Sequence, residues 1–161
     1  MRRYEEVDFW AAGAIGRPGE RTFLIQFGAS DGVHSYVLEK AQVAALVIEG
    51  RRLLEVVGTP VATQQTARGL AELIMPEFRI AEIHLAYEEA DQRITVGLVP
   101  TTDDVLGVEF TIAVGEFGPG LDLAEHAVEG GRPPCPRCGL AMDPDGHHCP
   151  ATNGDLRGHR P

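Results

Sequence analysis

The sequence predicts an α+β fold in which helices pack on one face of an antiparallel sheet of about six strands. Three observations carry this. Six segments alternate apolar and polar residues, the pattern of strands in a sheet with one wet face. One segment, Lys40 to Val57, repeats its apolar residues at helical spacing instead. The elements also run as strands, helix, strands, helix, so the chain reads as two βββα-like halves.

The first strand is Val7 to Ile15, with Val7, Phe9 and Ala11 on one face and Asp8, Trp10 and Ala12 on the other. Trp10 there is either an exposed contact or the underside of a second layer. Gly13, Gly16 and Gly19 have a spacing reminiscent of phosphate-cradling loops. Such loops open a helix, whereas Thr22 to Phe27 reads as a strand. Arg17-Pro18-Gly19-Glu20 suits a type II turn, so a hairpin is expected. Ser30-Asp31-Gly32 then turns the chain into a third strand, His34 to Leu38.

In the helix, Val43, Leu46, Val47, Leu53, Leu54 and Val57 form the apolar stripe. Gly50 falls on that stripe, where glycine costs about 1 kcal/mol relative to alanine. Close approach to the sheet is the expected compensation. Gly58 and Pro60 end the helix. Ala62 to Arg68 reads as a loop, and Ala67 to Met75 as a candidate short helix. Arg79 to Tyr87 follows as a strand with Ala81, Ile83, Leu85 and Tyr87 inward, then strands at Ile94 to Leu98 and Val108 to Val114. After Gly118-Pro119-Gly120, Leu121 to Val128 is expected as a short second helix.

All three cysteines lie in one stretch, P-P-C-P-R-C-G-L-A-M-D-P-D-G-H-H-C-P, starting at Pro133. Cys135 and Cys138 form a C-x-x-C turn whose two sulfurs face one point. Asp143-Pro144-Asp145-Gly146 is a turn signal that carries the chain back. His147 and Cys149 can then supply a second pair of ligands. Three thiolates and one imidazole suit a single structural Zn²⁺ in a closed tetrahedral site, and thiolates disfavour calcium or magnesium. A lone C-x-x-C would equally fit a redox pair; the third cysteine and the histidine decide for metal. His147 leaves one residue between itself and Cys149, His148 is the alternative, and His126 and His159 lie further off. Pro134-Cys135-x-x-Cys138 also matches half of the zinc deaminase signature. However, His126-Ala127-Val128-Glu129 is H-x-x-E where H-x-E is needed, and it stands too close to Cys135. A Cys₃His set also leaves no open position for water.

Length and charge bound the rest. A chain of 161 residues suits one α+β body, residues 1–130, with a zinc-ribbon- or knuckle-like appendage, residues 131–161. The formal net charge is −10, which disfavours nucleic-acid binding through phosphate neutralisation. The acid sits in the body, and the cysteine stretch is near neutral where a DNA-gripping module would be basic. No apolar run is long enough to span a bilayer and no signal peptide opens the chain, so a cytoplasmic location without a membrane partner is expected. There, an odd number of reduced cysteines suits a metal better than a disulfide.

Arg17, Arg21, Glu39, Lys40 and Gln42 fall at strand ends and at the start of the long helix. They are candidates for a rim that binds an anionic ligand or a partner, against the plainer reading of surface and capping contacts. His84 beside Glu82 reads as a solvated pair.

The motifs G-R-P-P-C-P-x-C-G and D-P-x-G-H-x-C-P-x-T-N-G resemble the C-terminus of an uncharacterised actinobacterial family, domain of unknown function 3090. Gly16 to Phe23, Gln26 and Leu38-Glu39-Lys40-x-Gln42-Val43 are similar to that family too, and the middle fits around Glu77-Phe78-Arg79. The resemblance implies Cys135, Cys138, His147 and Cys149 as the metal set in preference to His148. It implies no activity. Gly118-Pro119-Gly120 interrupts what resembles a helix in the family. The functional expectation is a zinc-stabilised protein-interaction or regulatory module with no catalytic residue assigned and an unidentified protein partner, compatible with a homo-oligomer. The alternative is a ligand-binding or enzyme subunit acting on an anionic, phosphate-containing small molecule at the Arg17, Arg21, Glu39, Lys40 rim. A nucleic-acid-binding zinc protein comes third, because of the acidity.

Overall fold

The computed structural model describes residues 1–58, 68–71, 74–130, 135–140, 142 and 146–152. The chain opens on a strand that periodicity does not reveal, β1 (Arg2–Tyr4), too short and too exposed to alternate. Next come β2 (Phe9–Ile15), β3 (Thr22–Ala29) and β4 (Gly32–Leu38), an antiparallel three-stranded sheet in the order β2-β3-β4. The expected turn joins β2 to β3. Glu20 N–H donates to the Arg17 carbonyl at 2.9 Å, and Gly19 sits at φ 91°, where a side chain would be strained. The glycine-rich segment is therefore a hairpin.

The α1 helix (Lys40–Val57) begins with Gln42 Oε1 accepting the Glu39 backbone N–H at 2.7 Å. The same amide donates to the carbonyls of Ile80 and Ala81, at 3.1 and 3.0 Å, tying the helix start to the next strand. Gly58 ends the helix at φ 73°, with its N–H on the Leu54 carbonyl. Most of the expected loop at Ala62 to Arg68 lies outside the described residues. Of the candidate helix at Ala67 to Met75, residues 68–71, 74 and 75 are described and none is helical. Residues 68–71 instead cross the three-stranded sheet. Buried Gln26 holds them there, donating to the Ala71 carbonyl at 3.0 Å and accepting the Ala71 N–H at 2.8 Å.

Three further strands, β5 (Ile80–Glu88), β6 (Arg93–Pro100) and β7 (Val108–Ala113), pair antiparallel, and β1 adds to β7 in parallel, giving the order β1-β7-β6-β5. The architecture is thus α+β, but the expectation of one six-stranded antiparallel sheet in two halves needs correction. The described residues form seven strands in two sheets, joined at an isolated parallel bridge between Val37 and Arg79. Alternation marks a half-buried strand but says nothing about which strands pair. A register irregularity between Ile80 and Glu82 also leaves Ala81 exposed rather than inward.

The last strand ends at Ala113, and Val114 opens α2 (Val114–Glu129), which runs straight through Gly118-Pro119-Gly120. The expected short helix from Leu121 is therefore extended by two turns, and the supposed breakers are contact residues. A Cβ on Gly120 would stand 2.1 Å from Trp10 Cε2, so the missing side chain admits the indole. Trp10 is buried, stacked on Phe117 at 5.0 Å and tilted against Phe110 at 6.4 Å, which settles it as the underside of a second layer. Gly50 does allow a close approach, but to α2 rather than to a sheet: a Cβ there would stand 2.7 Å from Leu121 and 3.1 Å from Phe117. The helices pack on each other and touch both sheets, α2 on β2 and α1 on β5. One core joins them, with Ile25, Phe27, Tyr36, Val43, Val96, Phe110, Phe117 and Leu121 all but inaccessible.

Candidate metal centre

The cysteine stretch folds as a tight turn followed by a return. Cys135 N–H donates to the Leu140 carbonyl at 2.7 Å, and Gly139 N–H donates to the Cys135 carbonyl at 2.8 Å. Gly139 sits at φ 74°, so the chain can double back immediately after Cys138. Both cysteines of the C-x-x-C thereby face the same side. The expected turn at Asp143-Pro144-Asp145 lies outside the described residues, but Gly146 at its end has φ 98°, and the chain beyond it does return.

The return brings four donors together. Cys135, Cys138, His147 and Cys149 offer ligand atoms that all lie within 4.8 Å of one another, a possible metal site. Cys135 Sγ is 3.8 Å from Cys149 Sγ, and Cys138 Sγ is 3.7 Å from His147 Nε2. Sulfurs at that separation are unbonded, since a disulfide needs about 2.05 Å. Cys135 and Cys149 are buried and pack with Met142 into a small cluster separate from the main core. His148 points to solvent, His126 lies in the last turn of α2 outside the four-donor group, and His159 lies outside the described residues.

The electrostatics favour thiolate at one corner. Burial pushes the Cys135 thiol up, but the backbone N–H groups of Cys138 and Arg137, with His147 and Cys138 beside them, outweigh it and bring it down to about 6. Arg137 N–H sits 3.4 Å from that sulfur. Cys138 moves the other way, raised by burial and by the neighbouring sulfurs. Adjacent thiolates repel one another, so a cation among them would be needed for all three to ionise.

The rim candidates are placed at one end of the three-stranded sheet but are engaged separately. Arg17 and Lys40 are exposed, at the hairpin turn and the helix start. Glu39 pairs with Arg79. Gln42 is fully used in joining α1 to β5. Arg21 donates through Nη1 to the Ala127 carbonyl at 2.8 Å and lies over the Phe23 ring at 5.1 Å. His84 and Glu82 form an exposed pair at 3.4 Å.

A second polar cluster went unnoticed in the sequence. Glu77 accepts from Arg2, faces His34 Nδ1 at 2.6 Å and accepts from Tyr36 Oη at 3.1 Å, while His34 Nε2 faces Asp31 at 2.9 Å. Tyr4 lies tilted against the His34 ring at 4.7 Å, so the cluster latches β1 to β4. The signal was weak, since Arg2, the group from Asp31 to Tyr36 and Glu77 stand far apart along the chain and only Glu77 falls in a family-like run.

No helix among the described residues is long and apolar enough to cross a membrane. Comparisons with curated proteins and with solved structures found no match. A family model does match, over residues 2–149, from β1 to the last cysteine and so across all four donors. The chain belongs to that family, described as a protein of unknown function (DUF3090).

Proposed function

We propose that the chain is a zinc-stabilised protein-interaction or regulatory module, in which one Zn²⁺ per chain fixes the segment after residue 130 against an α+β body. The observation that supports zinc is a four-donor group within 4.8 Å, two of whose separations match a tetrahedron's edges. Bonds of about 2.3 Å to sulfur and about 2.0 Å to nitrogen give a tetrahedron with S–S edges of about 3.8 Å and S–N edges of about 3.5 Å. The separations of 3.8 and 3.7 Å lie within a few tenths of those edges. Four protein ligands would close the coordination sphere, which favours a structural ion over a catalytic one. The metal would hold a turn that has Met142 as its one buried aliphatic side chain among the described residues.

Elemental analysis tests this directly: about one zinc per chain is expected. Occupancy well below half after anaerobic reconstitution would contradict it. If the partner docks on the knuckle, it should co-purify with the wild type and be lost from Cys138→Ser. A second reading, a ligand-binding or enzyme subunit for an anionic small molecule, is favoured by one observation. Arg21, one of the rim residues, lines a cavity of about 380 Å³.

A further inference from the structure

The geometry points to a binding site for a small amphipathic monoanion, an apolar body with one carboxylate, in the cleft around the free edge of β2, with α2 and Arg21 on one face and residues 69–70 on the other. The cavity measures about 380 Å³, within the range that holds small ligands. Small residues of β2, Ala12, Gly13 and Ala14, line it. Gly13 lacks the Cβ that would stand 3.1 Å from Leu70, so Leu70 can lie across the strand as one apolar wall. Ile15 and Leu123 supply the others.

Charge selects the head group. The chain carries 24 acidic residues and a net charge of −10, yet among the described residues no carboxylate lines this cavity. Arg21 does, and His126 adds a hydrogen-bonding imidazole. The guanidinium is held in place from two sides, through Nη1 on the Ala127 carbonyl and over the Phe23 ring. No acceptor among the described residues takes its Nε or Nη2. A planar fork with free N–H groups matches a carboxylate. One negative charge fits better than two. Among the described residues Arg21 is the single permanent cation in the lining, and the C-terminal end of α2 brings partial negative charge close by.

This assignment shares Arg21 with the ligand-binding reading and owes nothing to the cysteine cluster. The test titrates the full, zinc-loaded chain with octanoate, following backbone amide shifts by NMR. Two comparison probes are n-octanol, which has the chain without the charge, and inorganic phosphate, which has the charge without the chain. Saturable octanoate binding is expected below about 10 mM, with shifts centred on Gly13, Leu70, Leu123 and Ala127. Octanol should bind at least tenfold more weakly, by the loss of a charge-assisted pair. Arg21→Gln should weaken octanoate about tenfold or more, Arg21→Lys less, and Leu123→Trp should abolish it by filling the cavity. The amide spectrum of each variant reports whether it is folded, and Leu123→Trp leaves the Arg21 anchor intact. No saturation, shifts centred elsewhere, or equal affinity for octanol would overturn the proposal. Phosphate binding at Arg21 without octanoate binding would overturn it too, while leaving the ligand-binding reading in place.

Discussion

Replacing Gly120 with alanine isolates the contact that joins α2 to the three-stranded sheet. Two effects oppose each other. Alanine in a helix interior gains about 0.8–1.0 kcal/mol over glycine. Against that, the new methyl would stand 2.1 to 2.5 Å from three atoms of the Trp10 indole, where ordinary contact is about 3.5–4.0 Å. The ring must therefore move by more than about 1 Å, yet it is stacked on Phe117 and packed against Phe110. Overpacking of this kind costs about 1–3 kcal/mol, and a trapped rigid ring belongs at the upper end. The net expectation is a loss of about 2 kcal/mol, which lowers Tm by about 4–8 °C in a chain of this size. Guanidinium melts of a double-mutant cycle supply the check. With Trp10→Leu already present the clash is gone, so Gly120→Ala should become neutral or stabilising, a coupling of about 2–3 kcal/mol. If Gly120→Ala alone melts at or above the wild type, the helix does not lie where the contact requires.

The remaining expectations concern polar contacts and the other close glycine. Gly50→Ala should cost less than Gly120→Ala, because its clash is with the flexible ends of Leu121, which can shift; equal losses in the same melts would contradict this. Gln26→Leu strips both backbone groups of Ala71 of their partners and should cost about 1–3 kcal/mol, with faster hydrogen exchange at Ala71; unchanged protection there would contradict the clip. Burial raises the Glu77 carboxyl, but Arg2, His34 and Tyr36 outweigh it and hold it below its ordinary value of 4.5. A depressed carboxyl contributes stability that is present above 4.5 and fades as pH falls through the folded value. The stability gap between wild type and Glu77→Gln should therefore be open at neutral pH and close as pH falls through the lowered folded value; a gap independent of pH would refute that role.

Local chemistry was legible in the sequence, and long-range pairing was not. Pro18-Gly19 specified its hairpin, Gly58 its helix end, and the cysteine and histidine spacing a four-donor group, because each depends on residues a few positions apart. The division into two sheets depends on which strand edges meet, which alternation does not encode. Gly118-Pro119-Gly120 misled for a related reason. Read locally, glycine and proline break a helix. In the fold, Gly120 is the space that Trp10 occupies, more than a hundred residues away in sequence. The Glu77 cluster hid in the same way, assembled from β1, β4 and the approach to β5.

The central claim is that metal organises the cysteine segment while the body stands without it. Hydrogen exchange on Cys138→Ser beside the wild type reconstituted with Zn²⁺ tests it most directly. The small cluster around Met142 is separate from the main core, and on this account a turn with so little apolar cover would not hold its shape without an ion. Residues 135–149 should label rapidly in the variant, while β7, whose Val108, Phe110 and Ile112 lie in the core, keeps its protection. Lost protection in β7 would show that the segment and the body are one cooperative unit. Protection that persists across residues 135–149 would show that the segment needs no metal.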